Sequence, residues 1–435
     1  MQMRKLGYWE TALCLLHDQL EGTGTVFSAT HVRGQMDFTH FKQAWDLLFQ
    51  RHPLLRVTIE QRSDGYYFKE NAKFAAIPIQ CISHPDPRHW ETIVEQQLSE
   101  LFPTEQYLWR VTLLQTNSLS ANDYHIIFCV HHAIADGLSC VYLMNELLTY
   151  YKQISSKKTI TITPLPLLNA VETLLSRQIL VKMAKSTQDT TPKSIAQTPV
   201  FYQDYKPLGQ RVTKQVYRII RQADCTQLMM CCRQRKIKVN SAFNAAMLLT
   251  AQSMDQQPLH TALVTPVNLR PYCNPPIGLE HFGCYISCVG TQFALISDDS
   301  FWKLAQQYEQ QLNAQIPKLA LLPMEFNTAN TSQLSTLLEI ESARMRHQFT
   351  SGFCVTNKGY LPFPKRYGPL ELISYFTSSS RQAGDLIINL SVTSMHHQTF
   401  CCFTYTEPLI KPEWAGHFAD HYINILLDAV KSTPP

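Results

Sequence analysis

Two adjacent imidazoles, His131 and His132, close an apolar run from Ile126 to Val130, and the carboxylate of Asp136 and then Gly137 follow. A histidine, with a pKa of about 6.5, is largely neutral at cellular pH and suited to take a proton from an attacking hydroxyl or amine. Side chains alternate along a strand, so His131 and His132 do not share a role: one faces whatever cleft the strand borders, and the other packs away. A lone histidine is most simply a satisfied core residue. A His-His-x-x-x-Asp-Gly cluster arises by chance on the order of once in a thousand chains of this length, which points to function. No G-x-S-x-G elbow is present, so a covalent acyl-enzyme is not indicated and direct transfer in a ternary complex is simpler. Neither GxGxxG nor a P-loop occurs, so no nucleotide cofactor is implied. His396-His397 has no Cys, Asp or Glu at ligand spacing and reads as non-metal.

The elements that must hold these residues mix strand and helix. Residues 26–32, 107–114 and 124–130 pattern as strands, with shorter ones at 55–59 and 66–68 around the Ser63-Asp64-Gly65 turn. Helical spacing runs over 37–52, ended by Pro53, over 90–101, and over 137–151 directly after the histidines. In the second half, strands are expected at 215–220, 261–268 and 285–293, with helices at 226–235, 241–254 and 301–316, the last opened by Asp298-Asp299-Ser300. A long β-region spans 353–405 and a final helix starts at Lys411-Pro412. Periodicity fades between 177 and 210. The expected organisation is an N-terminal subdomain over 1–185, a linker or crossing loop over 186–210, and a C-terminal subdomain over 211–435. The fold class is α+β, two halves of similar length.

The 435 residues are enough for a large core, and with 45% hydrophobic and 17% charged residues the chain is not a disordered, charge-driven one. A net charge of +4 argues for no nucleic-acid partner. Thirteen cysteines, with no CxxC, read as reduced, buried thiols of a cytoplasmic protein. Glu10 and Asp18 interrupt the stretch after Arg4 and Lys5, so no signal peptide is expected, and no run reaches the ~18 apolar residues of a membrane span.

On its motifs, the chain resembles the chloramphenicol-acetyltransferase-like acyltransferase superfamily. That group includes nonribosomal condensation domains, alcohol acetyltransferases and the phthiocerol dimycocerosyl transferase type. His131-His132-Ala133-Ile134-Ala135-Asp136-Gly137 matches its HHxxxDG signature fully. Arg4-Lys5-Leu6-Gly7-Tyr8-Trp9-Glu10 is similar to the family's opening segment, and Arg51-His52-Pro53-Leu54-Leu55-Arg56 to its RHxxLR motif. Tyr202-Gln203-Asp204-Tyr205 resembles YxDY, and Val267-Asn268-Leu269-Arg270-Pro271 followed by Phe282-Gly283-Cys284-Tyr285 resembles NLRP…G. Val355-Thr356-Asn357-Lys358-Gly359 approximates SNxG, and no DFGWG segment occurs.

The resemblance implies two chloramphenicol-acetyltransferase-like halves, each a mixed sheet with flanking helices, and an active-site tunnel between them. It makes His132 the general base and His131 structural. Asp136 becomes a structural carboxylate paired with an arginine, Arg270 first and Arg56 next. Thr356 and Asn357 are candidates for contacting the oxyanion or substrate. Gly137 either lets substrate approach the backbone or only begins a helix. The aromatic residues Phe282, Tyr285, Phe293, Phe349 and Phe353 suit either a greasy acyl chain or core. The implied co-substrate is a thioester, acyl-CoA or a phosphopantetheine on an acyl carrier protein, with no permanently bound cofactor and no metal. The implied acceptor is a small or lipid-like alcohol, and a monomer suffices. The alternatives are a free-standing condensation enzyme forming an amide, and a non-catalytic carrier-protein-binding relative.

Overall fold

The computed structural model describes residues 3–118, 121–178, 198–255, 259–295, 300–317 and 347–431. The first part of the chain carries β1 (Met3–Lys5), α1 (Tyr8–Gln19), β2 (Val26–Arg33), α2 (Phe38–Arg51), β3 (Val57–Arg62), β4 (Gly65–Glu70), β5 (Ile79–Ser83) and α3 (His89–Ser99). It continues through β6 (Trp109–Ser118) and β7 (Ala121–Val130) into α4 (Gly137–Ser155) and the single turn α5 (Val171–Leu174). The second part runs β8 (Val212–Ile220), α6 (Gln222–Gln234), α7 (Val239–Asp255), β9 (Leu259–Asn268), β10 (Ile286–Leu295) and α8 (Phe301–Gln315). It ends with β11 (Phe353–Tyr360), β12 (Arg366–Tyr367), β13 (Leu370–Ser379), β14 (Ile388–Met395), β15 (Gln398–Glu407) and α9 (Pro412–Lys431).

The expected α+β class holds, as two mixed six-stranded sheets. One has the order β12-β13-β2-β7-β6-β5 and the other β10-β9-β11-β14-β15-β8, with a small β1-β4-β3 sheet alongside. β7 lies inside the first sheet between β2 and β6, and Ile126 through Val130 are all fully buried. This explains an apolar run without alternation, since both faces of the strand are covered. Trp45 of α2 stacks on Trp109 and Phe128 of that sheet, at 5.1 and 5.2 Å between ring centroids. A mount this closely packed holds its terminal histidines rigidly.

The strands of the second half do not stay in the second sheet. β13 pairs antiparallel with β2, from Ser379↔Val26 to Glu371↔Arg33, and so completes the first sheet. Segment 211–435 therefore serves both sheets. Residues 186–197 of the expected linker lie outside the described residues, while 198–210 packs against the second half, with the Thr198 amide donating to the His260 carbonyl at 2.8 Å. His396-His397 forms the two-residue turn between β14 and β15, both residues at positive φ (48° and 63°), and the His396 ring lies 3.1 Å from the Phe363 carbonyl. That is hairpin geometry, in which both central residues take positive φ. No helix among the described residues is long and apolar enough to cross a membrane.

Candidate active site

β7 ends at Val130, and the chain makes one 3-10 turn, His132–Ile134, before α4 begins. Asp136 is the N-cap of α4. Its Oδ1 accepts the Ser139 amide at 2.8 Å, satisfying one of the free N–H groups of the first turn. The same carboxylate accepts the Tyr285 amide at 2.9 Å and two Arg270 contacts, Nη1 to Oδ2 at 2.8 Å and Nη2 to Oδ1 at 3.3 Å. Both side chains are sealed from water, Asp136 at 0% and Arg270 at 2% exposure. Arg270 also donates to the Ser139 hydroxyl at 2.7 Å and lies over the Tyr285 ring. The Ser139 hydroxyl bridges Gly283, donating to its carbonyl and accepting from its amide. Asp136 thus ties the start of α4 to the β9–β10 connection of the other half. His132 is not among its hydrogen-bond partners.

The two imidazoles separate, but both lie past the end of β7, so the 3-10 turn rather than strand alternation parts them. His131, 1% exposed, points inward against His17 and Phe102, and its Nδ1 accepts the Ala133 amide at 3.1 Å. Burial, with the neighbouring His17 and His132, holds its pKa well below the usual histidine value. His132 lies deep in the molecule yet keeps accessible surface, because that surface faces a cavity of about 230 Å³. Burial lowers its pKa, opposed by backbone groups of His132 and Ala135 and by the Asp136 charge, and assisted by Arg381. The ring is therefore kept in the neutral form that can accept a proton.

The cavity is walled by both halves: Trp9, Leu13 and Leu16 of α1, Val26 of β2, and residues of β9, β10, β11, β13 and β14. Where a tunnel between the halves was expected, the structure has this chamber lined by residues of both. Thr356 and Asn357 line it, as does Gly137, while Arg270 and Asp136 do not. None of Phe282, Tyr285, Phe293, Phe349 or Phe353 lines it either. Phe282 belongs to the first core, Phe293, Phe349 and Phe353 to the second, and Tyr285 packs under Arg270, so they are core rather than acyl-chain wall.

The condensation-domain profile matches residues 14–319, most of the chain. The chain belongs to the condensation-domain family. It is 28% identical over 123 residues to the beauvericin nonribosomal cyclodepsipeptide synthetase of Gibberella fujikuroi, 28% of this chain but only 4% of that protein. Among solved structures, trichothecene 15-O-acetyltransferase from Fusarium sporotrichioides superposes with a TM-score of 0.71 at 11% identity, covering 98% of this chain and 95% of that one. The starter condensation domain of rhizomide synthetase, solved in complex with C8-CoA, gives 0.68 at 13% identity over 99% and 95%. At such identities the likeness is one of fold, and the chain spans a small fraction of the synthetase it matches.

Within the condensation fold the remaining motifs are braces. Arg51 and His52 both contact Glu146 of α4, at 2.6 and 2.8 Å. Arg56, the second candidate partner for Asp136, instead binds Glu70 and the carbonyls of Phe49 and Gln50. Arg4 clasps Glu10, whose carboxylate also accepts the Gly7 amide at the start of α1. Tyr202 and Tyr205 carry Arg211 on their rings, and the Tyr202 hydroxyl donates to the Gly384 carbonyl, fixing the loop that bears Arg381. Sequence reasoning missed two cations in the chamber, Arg381 and Lys358. The Lys358 amine donates to the Ser391 hydroxyl, and burial lowers its pKa to about 8. The side chain crosses directly over Gly137: a Cβ there would lie 2.7 Å from Lys358 Cε. The close approach anticipated at this glycine is therefore made by a lysine of the other half. The only signal in the sequence was a lysine inside the degenerate SNxG segment.

Proposed function

We propose that the protein transfers an acyl group from a thioester, acyl-CoA or a carrier-bound phosphopantetheine, to an alcohol, with His132 as general base. The observation that carries this reading is the His132 ring itself, held neutral by burial yet facing a chamber. In the reaction, His132 takes the acceptor proton as its oxygen attacks the thioester carbonyl. The tetrahedral oxyanion forms and collapses, and the thiolate leaves with that proton. Thr356 and Asn357 stand in the chamber wall as candidate donors to the oxyanion; the Asn357 side-chain oxygen accepts the Gly359 amide at 2.8 Å, so its amide group is the part that would donate to substrate.

Supporting an alcohol acceptor is the fold-level match to an O-acetyltransferase over nearly the whole chain. Supporting amide formation is the sequence match to nonribosomal peptide synthetases. Both readings use the same base and a carrier-protein or CoA partner. Incubation of the protein with acyl-CoA donors and mixed alcohols and amines, followed by mass spectrometry, separates ester from amide. His132→Ala is expected to lower turnover by about 10²–10⁴, the usual worth of a general base, with an unchanged melting temperature. Turnover that survives this substitution refutes the assignment.

A further inference from the structure

The described side chains lining the His132 chamber include two cations, Lys358 and Arg381, and no carboxylate. Arg381 has a counter-charge in Asp385, at 3.4 Å and outside the chamber wall. Lys358 has no ion pair with a described residue, and its hydrogen-bond partner is the Ser391 hydroxyl. An enclosed ammonium without a counter-ion is costly, and charged groups are seldom kept in such a place without a use.

The backbone is arranged to put that ammonium there. The β11–β14 register shifts between Asn357 and Tyr360, and Gly359 takes φ +76°. Thr356, Asn357 and Lys358, leading into this irregularity, all line the chamber. Gly137, lacking a Cβ, leaves the path the lysine occupies.

We propose that Lys358 binds a free carboxylate on one of the two substrates, making this chamber selective for a carboxylate-bearing acceptor or acyl group. The inference rests on reading the His132 chamber as the substrate site. Within it, a charge-assisted pair at Lys358 orients the substrate while apolar α1 residues hold the remainder.

Trp9, one of six tryptophans, lines the chamber, so a fluorescence change on binding that is lost in Trp9→Phe reports occupancy without turnover. Octanoate and octanamide, titrated near neutral pH, differ in charge at nearly constant shape. The expected result is octanoate tighter by about tenfold or more in the wild type, a preference kept by Lys358→Arg and reduced to about twofold or less by Lys358→Met. Lack of an acid preference in the wild type, or its survival in Lys358→Met, overturns the proposal. His132→Ala keeps the preference while losing transfer, so failure here and failure of the acyl-transfer reading are seen separately. The source of the carboxylate is read from products: succinyl-CoA against butyryl-CoA as donors, and lactate against lactamide as acceptors.

Discussion

Replacing Asp136 by alanine removes the acceptor for four hydrogen bonds in a place without water. Arg270 is then left 2% exposed with no counter-charge, which typically costs about 3–5 kcal/mol. The Tyr285 amide, 2.9 Å from the lost oxygen, becomes an unsatisfied buried donor at about 1–3 kcal/mol. Loss of the N-cap of α4 contributes about 1 kcal/mol. These losses share partners and do not add, so about 4–6 kcal/mol is expected in total. That is comparable to the whole stability of many proteins, about 5–15 kcal/mol. Urea unfolding followed by far-ultraviolet circular dichroism measures the loss. The double variant D136A/R270M removes the stranded charge, and about 2 kcal/mol or more is expected to return. A single variant within about 1 kcal/mol of wild type refutes this reasoning, and so does a double variant no more stable than D136A.

Two further outcomes follow from the same geometry. Burial lowers the pKa of His132, so the base stays neutral to more acid pH than a free imidazole; the acid limb of the kcat/KM profile is expected to have its midpoint below about 6.5, and a midpoint above about 7 contradicts the assigned environment. Gly137→Ala places a methyl group against the flexible end of Lys358, and alanine suits a helix better by about 1 kcal/mol; melting temperature is therefore expected to hold while kcat/KM falls, and unchanged kinetics would show that the position of the lysine is immaterial.

Much of the scaffold was legible because local rules govern it. The uninterrupted run before His131 marked a strand covered on both faces, and helical spacing from 137 marked α4, while the N-cap role of Asp136 emerged only from the structure. Alternation predicted that the two histidines part; they do occupy different environments, but at a 3-10 turn beyond the strand end, where alternation does not apply. Pairing of Asp136 with Arg270 was anticipated by resemblance to a family, not by spacing, since 134 residues separate them. The short opening elements β1 and α1 escaped the reading, although α1 supplies Trp9, Leu13 and Leu16 to the chamber.

What the sequence determined by itself was the His131-His132 pair at the end of a buried strand and ahead of a helix; the choice of position 132 came from resemblance to a family. Tertiary structure alone decided what surrounds it: that β13 crosses to the first sheet, that five aromatic residues suited to a chain-binding wall are core, and that Lys358 lies over Gly137. Strand pairing and chamber walls depend on contacts between residues hundreds of positions apart. Propensity and periodicity, being properties of a few neighbouring residues, hold no record of those contacts.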